Sequence, residues 1–498
     1  MSRTFDTDRQ TTPPGGNHSN PSSPPALPTP IPAAAAISRD VWLTVALAVL
    51  GAFVTYVPIT AVADSLTSIR QATGASPSDL QWVQDAYTIP MAAAVLSAGV
   101  FGDLHGRRLV FLIGMALTFT GATIAVIAGS FSGTTGVEVL WVAQAIAGAG
   151  GGLLLPTTLA LIAHAVPDFR QRARFVSMWA TGMVLGLAVG PIMSGLILAH
   201  LAWRWIFVIP ALLAVLAAVM AMLRLPESKA PEGRYLDWPG QITAAITIIG
   251  SIFGVIQAGK QGWGSADTVI GLAVAAVSAI TFIVVEARRE HPLVDLKLFR
   301  IPVFSSSALA AAVSLFAVVG TMFLLSVFLG SEQHLSPLQI AWRLLVVTGV
   351  PVLVNPIVGR LMGRIPPIAL LAGGLLLGAV GLCTMTGVGV NTGFLDISWR
   401  LAIFGVSMSM MLTTISVTAI SAVPHQMAGS AAAVNTAFRQ YGSALGPAIL
   451  GVILSSRMSH GASMASGMHT ALVVAAVVLV VAALLCLFSI TITRTNHE

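Results

Sequence analysis

The stretch Thr181–Leu198, TGMVLGLAVGPIMSGLIL, decides how this chain is read. It is apolar enough to form a helix across a bilayer, whose hydrocarbon core of about 30 Å needs roughly 20 such residues. It also carries Gly182, Gly186 and Gly190 at every fourth position, which stacks them on one helical face. A neighbouring helix can therefore approach backbone to backbone. Pro191 follows at once and removes one helical hydrogen bond, which bends the span near its outer third.

The rest of the chain agrees with a membrane setting. Of 498 residues, 56% are hydrophobic and only 9% charged, and the mean hydropathy of +0.87 excludes a water-soluble protein of this length. Fourteen apolar stretches of spanning length follow one another, from 41–63 and 83–101 to 469–491. Residues 1–40 are rich in Pro, Ser and Thr and predict a disordered tail. No cleavable signal peptide is expected, so the first span directs insertion.

Charge placement then gives an orientation. Basic residues cluster after even-numbered stretches: Arg107 and Arg108, then Arg170, Arg172 and Arg174, Lys229 and Arg234, and on to Arg360 and Arg364. Loops after odd-numbered stretches hold only Arg70, Arg204, Lys260, Arg400 and Arg457. The positive-inside rule places both termini in the cytoplasm of a cell whose inner membrane the protein spans. The net charge of +6 reports loops facing anionic lipid, with no nucleic-acid partner expected. Cys383 and Cys486 sit inside apolar runs and read as small core hydrophobes.

The stretches divide as six, two and six. A six-helix bundle is expected over 41–225, a linker with two extra spans over 226–300, and a second bundle with a short tail over 301–498. A weak internal repeat supports the division. GVFGDLHGRR follows the second stretch and VGRLMGRIP the tenth, with Gly363 standing where the first copy has Asp103.

Two motifs identify the chain as resembling the major facilitator superfamily. One is Gly99-x3-Asp103-x2-Gly106-Arg107-Arg108, similar to that family's loop between spans two and three. The other is Gly186-x3-Gly190-Pro191-x2-Ser194-Gly195, similar to the fifth-span motif of its antiporters. In the first, the glycines permit a tight turn while Asp103 can pair with a basic group or cap a helix end. Such a charge latch can hold one conformation of a rocking carrier. The likeness covers nearly all of Val41 to Ile490 and is closest to the fourteen-span drug:proton antiporter branch. Leu80–Tyr87, Leu154–Leu159, Trp203–Phe207 and Gly429–Gly446 carry it. The implied fold is an all-α membrane protein of two six-helix bundles plus two extra helices, fourteen spans in all.

Two departures bear on mechanism. The branch commonly has a proton-loading acid in span one, where Thr55 or Val57 stands here. It also commonly has an arginine in span four, where this chain reads Gln144-Ala145-Ile146-Ala147-Gly148. Losing both members of a charge pair is physically sensible, because a lone buried ion is costlier than none.

Asp85 is then the expected proton carrier, a partly desolvated carboxylate in the outer half of span two just past Trp82. Members of the branch that export quaternary ammonium compounds also carry an acid there. Asp64 and Glu332 are read as solvated rim groups. Arg439, with Asn435 one turn before and Ser443 after, forms a polar stripe on span thirteen that either lines a cavity or bonds a neighbouring helix. Gln144 is a further candidate for the substrate path or for a packing hydrogen bond. Met408, Met410 and Met411 read as core more than as a pliable pocket.

No Walker loop, HExxH, GxSxG or paired-cysteine metal motif is present. GAGGG at 148–152 lies inside a span and reads as helix packing. No enzyme activity and no cofactor are expected. The expected function is proton-coupled antiport of an amphiphilic drug or antibiotic by a monomer, whose partners are that small molecule, protons and membrane lipid. A facilitator without proton coupling and a transporter-like receptor are the alternatives.

Overall fold

The computed structural model describes residues 38–495, apart from 132, 167–168, 230–236, 290–291, 293 and 425–426. The expected tail up to residue 37 and Arg234 lie outside the described residues, as do the side chains of Arg170, Arg172 and Arg174. Among the described residues there is no strand. Fourteen α-helices occur: α1 Arg39–Thr73, α2 Pro77–His105, α3 Arg107–Ala128, α4 Gly133–Ala165, α5 Phe169–Leu198, α6 Val208–Arg224, α7 Trp238–Gln261, α8 Ala266–Arg288, α9 Pro302–Ser331, α10 Pro337–Leu361, α11 Pro367–Met385, α12 Phe394–Ser421, α13 Ala428–Ser459 and α14 Met464–Thr495. Twelve candidate membrane helices, α2 and α13 not among them, are long and apolar enough to cross a bilayer among the described residues.

Helices α2 and α10 start the same way. Ser76 and Ser336 cap their helices, each followed by proline in the first turn and answered by Asp79 or Gln339 in a capping box. The side chains of Asp79 and Gln339 accept the capping serines' backbone N–H groups at 3.0 Å. The two serines are 260 residues apart, the same offset that relates Gly99 to Gly359 in the repeated loop motif. Both ends of the two helices therefore share one register.

The pairing of helices repeats as well. Helix α1 packs on α5 as α9 does on α13, α3 on α4 as α11 on α12, α2 on α4 as α10 on α12, and α3 on α6 as α11 on α14. The two sets meet where α5 crosses α10, α2 crosses α13 and α1 touches α9. Helices α7 and α8 pair with each other, and α7 also reaches both α2 and α13. It covers that seam through Gln241, which donates to Ala93 O at 2.7 Å, and Ser251, which accepts from the Tyr441 hydroxyl at 2.9 Å.

The partner that the glycine face of α5 was expected to meet is α1. A Cβ on Gly186 would lie 2.8 Å from Phe53 O, and one on Gly190 would lie 2.0 Å from Thr60 Oγ1. That close approach lets Thr60 donate to Leu187 O at 3.1 Å. Leu187 stands four residues before Pro191, so its carbonyl is the one that proline leaves without a helical donor. The glycine and the proline thus act as one device. Gly195 belongs to a different contact, with its Cβ position 3.1 Å from Leu338 Cα of α10.

Two expectations are corrected. Helix α1 runs ten residues beyond the expected 41–63, so Asp64 lies inside the helix at 1% exposure and is not a solvated rim group. Extra helical length beyond the apolar run comes from tertiary cover by α5 and α9, which local hydropathy does not register. Cys486 is buried as expected, whereas Cys383 is exposed on the outer face of α11, where lipid can cover a thiol as readily as a core can.

Candidate functional site

The end of the molecule where α1 begins also carries Arg107, Arg108, Arg360 and Arg364, and is called here the basic end. At the far end the two sets are in close contact. Ser326 of α9 donates to Ala63 O at 2.7 Å, Gly330 of α9 abuts Thr67, and Gly451 of α13 abuts Gln81. Towards the basic end, α2 and α10 present Gly99 and Gly359 to open space.

Asp85 lies on this seam. It is 0% exposed, and neither carboxylate oxygen has a hydrogen-bond partner among the described residues. One turn before it Gln81 meets Gly451, and one turn after it Ile89 joins a cluster with Ala444 and Ala448. Helical periodicity therefore turns Asp85 towards α13. The helix starts at Pro77, so the carboxylate sits two turns in, deeper than its place near the start of the apolar stretch 83–101 suggested.

Helix α13 answers with the expected polar stripe. Asn435, Arg439, Gln440 and Ser443 are all buried, at 4% exposure or less. Arg439 Nη2 donates across the seam to the Tyr56 hydroxyl at 3.4 Å. Its Nε, Asn435 Nδ2 and both amide atoms of Gln440 lack partners among the described residues. The sequence names Gln440 only through the likeness of its thirteenth span, whereas the structure buries it fully beside Arg439.

Gln144 is placed otherwise. Its amide donates to Val83 O at 3.4 Å, which ties α4 to α2 as a packing bond. A small cavity between the sets, about 10 Å³ and so room for about one water, is lined by Tyr56, Ile59, Thr60, Gln84, Leu187 and Met322, among others. Gln144, Asn435 and Arg439 are absent from that lining, and Arg439 approaches it only through Tyr56. Gln84, with both amide atoms unpartnered among the described residues, is the polar group the sequence reading missed. Met408 and Met411 are fully buried in α12 and away from the cavity.

The loop between α2 and α3 folds as a charged corner at the basic end. Arg107 pairs with Asp103 at 2.8 Å, one helical turn apart. Gly106 sits at φ +114°, which L side chains rarely adopt, and it caps α3 without a side-chain acceptor. Glu227, just past α6, supplies that acceptor by taking the Arg108 N–H at 3.2 Å. Arg108 also donates to Met222 O. A carboxylate at a helix N-terminus satisfies an orphan donor and complements the helix dipole. Glu227 belongs to the polar connection PESKAPEG at the start of the linker expected over 226–300.

Two sets of helices with matching internal pairings, meeting across a seam of buried polar groups, define a polytopic membrane protein built to carry solutes. Comparison with known proteins agrees. Residues 41–447 match the sequence profile of the Major Facilitator Superfamily. The chain belongs to that superfamily, a family of transporters and not of enzymes. It is 29% identical over 423 residues to "Multidrug resistance protein Stp" of Mycobacterium tuberculosis, covering 85% of this chain and 78% of that protein. It is 27% identical over 418 residues to "Tetracenomycin C resistance and export protein" of Streptomyces glaucescens, covering 84% and 76%. With "Multidrug efflux pump LfrA" of Mycolicibacterium smegmatis it shares 28% over 415 residues, covering 83% and 81%.

Proposed function

We propose that this protein is a proton-coupled antiporter that exports amphiphilic drugs or antibiotics across the cytoplasmic membrane. The drug and antibiotic resistance proteins it resembles support the substrate class. The observation that carries the coupling is Asp85, a carboxylate fully buried in the seam without a cation or hydrogen-bond donor among the described residues. A carboxylate so placed is tolerated when neutral, and it can ionise only when water reaches it. Alternating exposure of the seam would let it take a proton from one side and release it on the other, while substrate moves the opposite way.

In this reading all fourteen helices span the membrane as bundles over 41–225 and 301–498, with α7 and α8 between them. Both termini are cytoplasmic, and the protein works as a monomer. The basic end is then the cytoplasmic end and the conformation faces inward, since the seam is closed at the far end. Once the two sets part, Tyr56, Gln84 and the aliphatic side chains around the small cavity would contact substrate, while Asn435, Arg439 and Gln440 would set polarity behind it. Asp103, Arg107 and Glu227 would hold the cytoplasmic corner of the first bundle during rocking.

The test is substrate uptake into inverted vesicles driven by an imposed proton gradient. Asp85→Asn, which mimics the neutral acid, is expected to keep substrate binding and lose gradient-driven transport. Normal gradient-driven transport by that variant would refute the assignment. Collapse of the gradient with a protonophore separates this reading from a facilitator, which would continue to equilibrate its solute.

A further inference from the structure

The second buried carboxylate of the seam region, Asp64, has no place in the scheme above. It lies in α1 at 1% exposure, and neither oxygen makes a hydrogen bond of good geometry among the described residues. The side chain beside it is Ser194 of α5. Ser194 carries one hydroxyl proton and gives it to Pro191 O at 3.1 Å, so it offers Asp64 little as a donor. The surroundings are the elements that close the far end. The preceding residue, Ala63, accepts from Ser326 of α9, and one turn later Thr67 meets Gly330 of the same helix. Next to Ser194, Gly195 meets Leu338 of α10.

Among the described residues no cation reaches Asp64 from these elements. On α1 the nearest charged group is Arg70, exposed in the last turn. Helix α5 has no charged side chain from Thr181 to Leu198, with His200 exposed beyond its end. The charged group closest along α9 is Glu332, at its C-cap. Arg343 of α10 donates to Gln339 O and stacks over Phe394 of α12, 5.6 Å from the ring centroid. From α2, Asp79 pairs with Lys260 at 3.5 Å and Asp85 faces α13. Tyr56, nearer the middle of α1, accepts from Arg439, and Tyr87 of α2 donates to Thr55 O at 2.7 Å.

We propose that Asp64 is a second proton-binding site, built into the far-end closure of α1, α5, α9 and α10, and that its ionisation opens that closure. A negative charge buried beside Ser194, with no cation near it among the described residues, is costly, whereas a neutral acid fits. Separation of α1 and α5 from α9 and α10 would hydrate the group, so the charged form selects the open far end. In the open state the carboxylate takes a proton from the far side, which restores the closed form. It loses that proton towards the basic end, the side on which the neighbouring Ala63 lines the small cavity between the sets. The direction matches proton-coupled export and rests on that reading, but the closure can be tested without transport.

The experiment uses the full chain in lipid nanodiscs, with Cys383→Ser and Cys486→Ala removing the native thiols. Spin labels are attached after His200→Cys and His460→Cys, at far-end turns of the two helix sets. Electron–electron resonance then gives the label separation between acidic and alkaline pH. If one proton governs closure, the open-to-closed ratio rises by up to about tenfold per pH unit towards alkaline conditions. Asp64→Asn should hold the short separation at every pH, and Asp64→Glu should restore the dependence. Persistence of the full pH response in Asp64→Asn would overturn the proposal. Should the parent chain show no proton-driven flux, the antiport reading fails, while the label separations still decide what Asp64 does.

Discussion

The hydrogen bond from Thr60 to Leu187 O ties the glycine–proline motif of α5 to a specific energy. Pro191 deprives Leu187 O of its helical donor, and Thr60, at 1% exposure, replaces that donor at 3.1 Å from the neighbouring helix. Thr60→Val keeps the shape and removes the hydroxyl, which leaves a buried carbonyl unpaired at a cost of about 1–3 kcal/mol. Pro191→Ala restores an N–H that can take Leu187 O within α5, so the same Thr60→Val change should then cost little. A double-mutant cycle is expected to give a coupling of about 1–2 kcal/mol, well above the roughly 0.5 kcal/mol scatter of independent sites. The measurement is reversible unfolding in mixed detergent micelles, followed by helical circular dichroism for the four proteins. Additivity of the two changes would show that Thr60 does not serve the proline's orphaned carbonyl, and the linkage of Gly190 with Pro191 would fall with it.

Two further outcomes follow from the packing and the charged corner. Gly148→Ala places a Cβ 2.0 Å from Tyr87 O, backbone that cannot swing aside. It should destabilise the first helix set by about 1–3 kcal/mol, read as a lower unfolding midpoint in the same micelles; an unchanged midpoint would refute the close α2–α4 contact. Glu227→Ala removes the carboxylate that accepts the Arg108 N–H at the start of α3. A cost of about 0.5–2 kcal/mol is expected from loss of an N-terminal acceptor, with faster proteolysis near residue 106 as the second readout; unaltered stability and cleavage would remove Glu227 from the corner.

The sequence by itself determined that the chain is helical and membrane-spanning, because apolar length and the placement of glycine are local properties. It showed the glycine face and the proline of α5 and the polar stripe of α13 from helical spacing, and the Gly99–Arg108 loop by its likeness to a family motif, with the partner of Asp103 left open. Tertiary structure decided which helix each feature meets. Only the fold shows that α1 fills the α5 glycine face, that Gly195 turns to α10 and that Glu227 completes a helix end 119 residues away along the chain. Asp64 marks the limit most clearly. A carboxylate near the end of an apolar run reads as wet when judged by its neighbours in sequence. Its burial comes instead from α5 and α9, which are distant in the chain and adjacent in space.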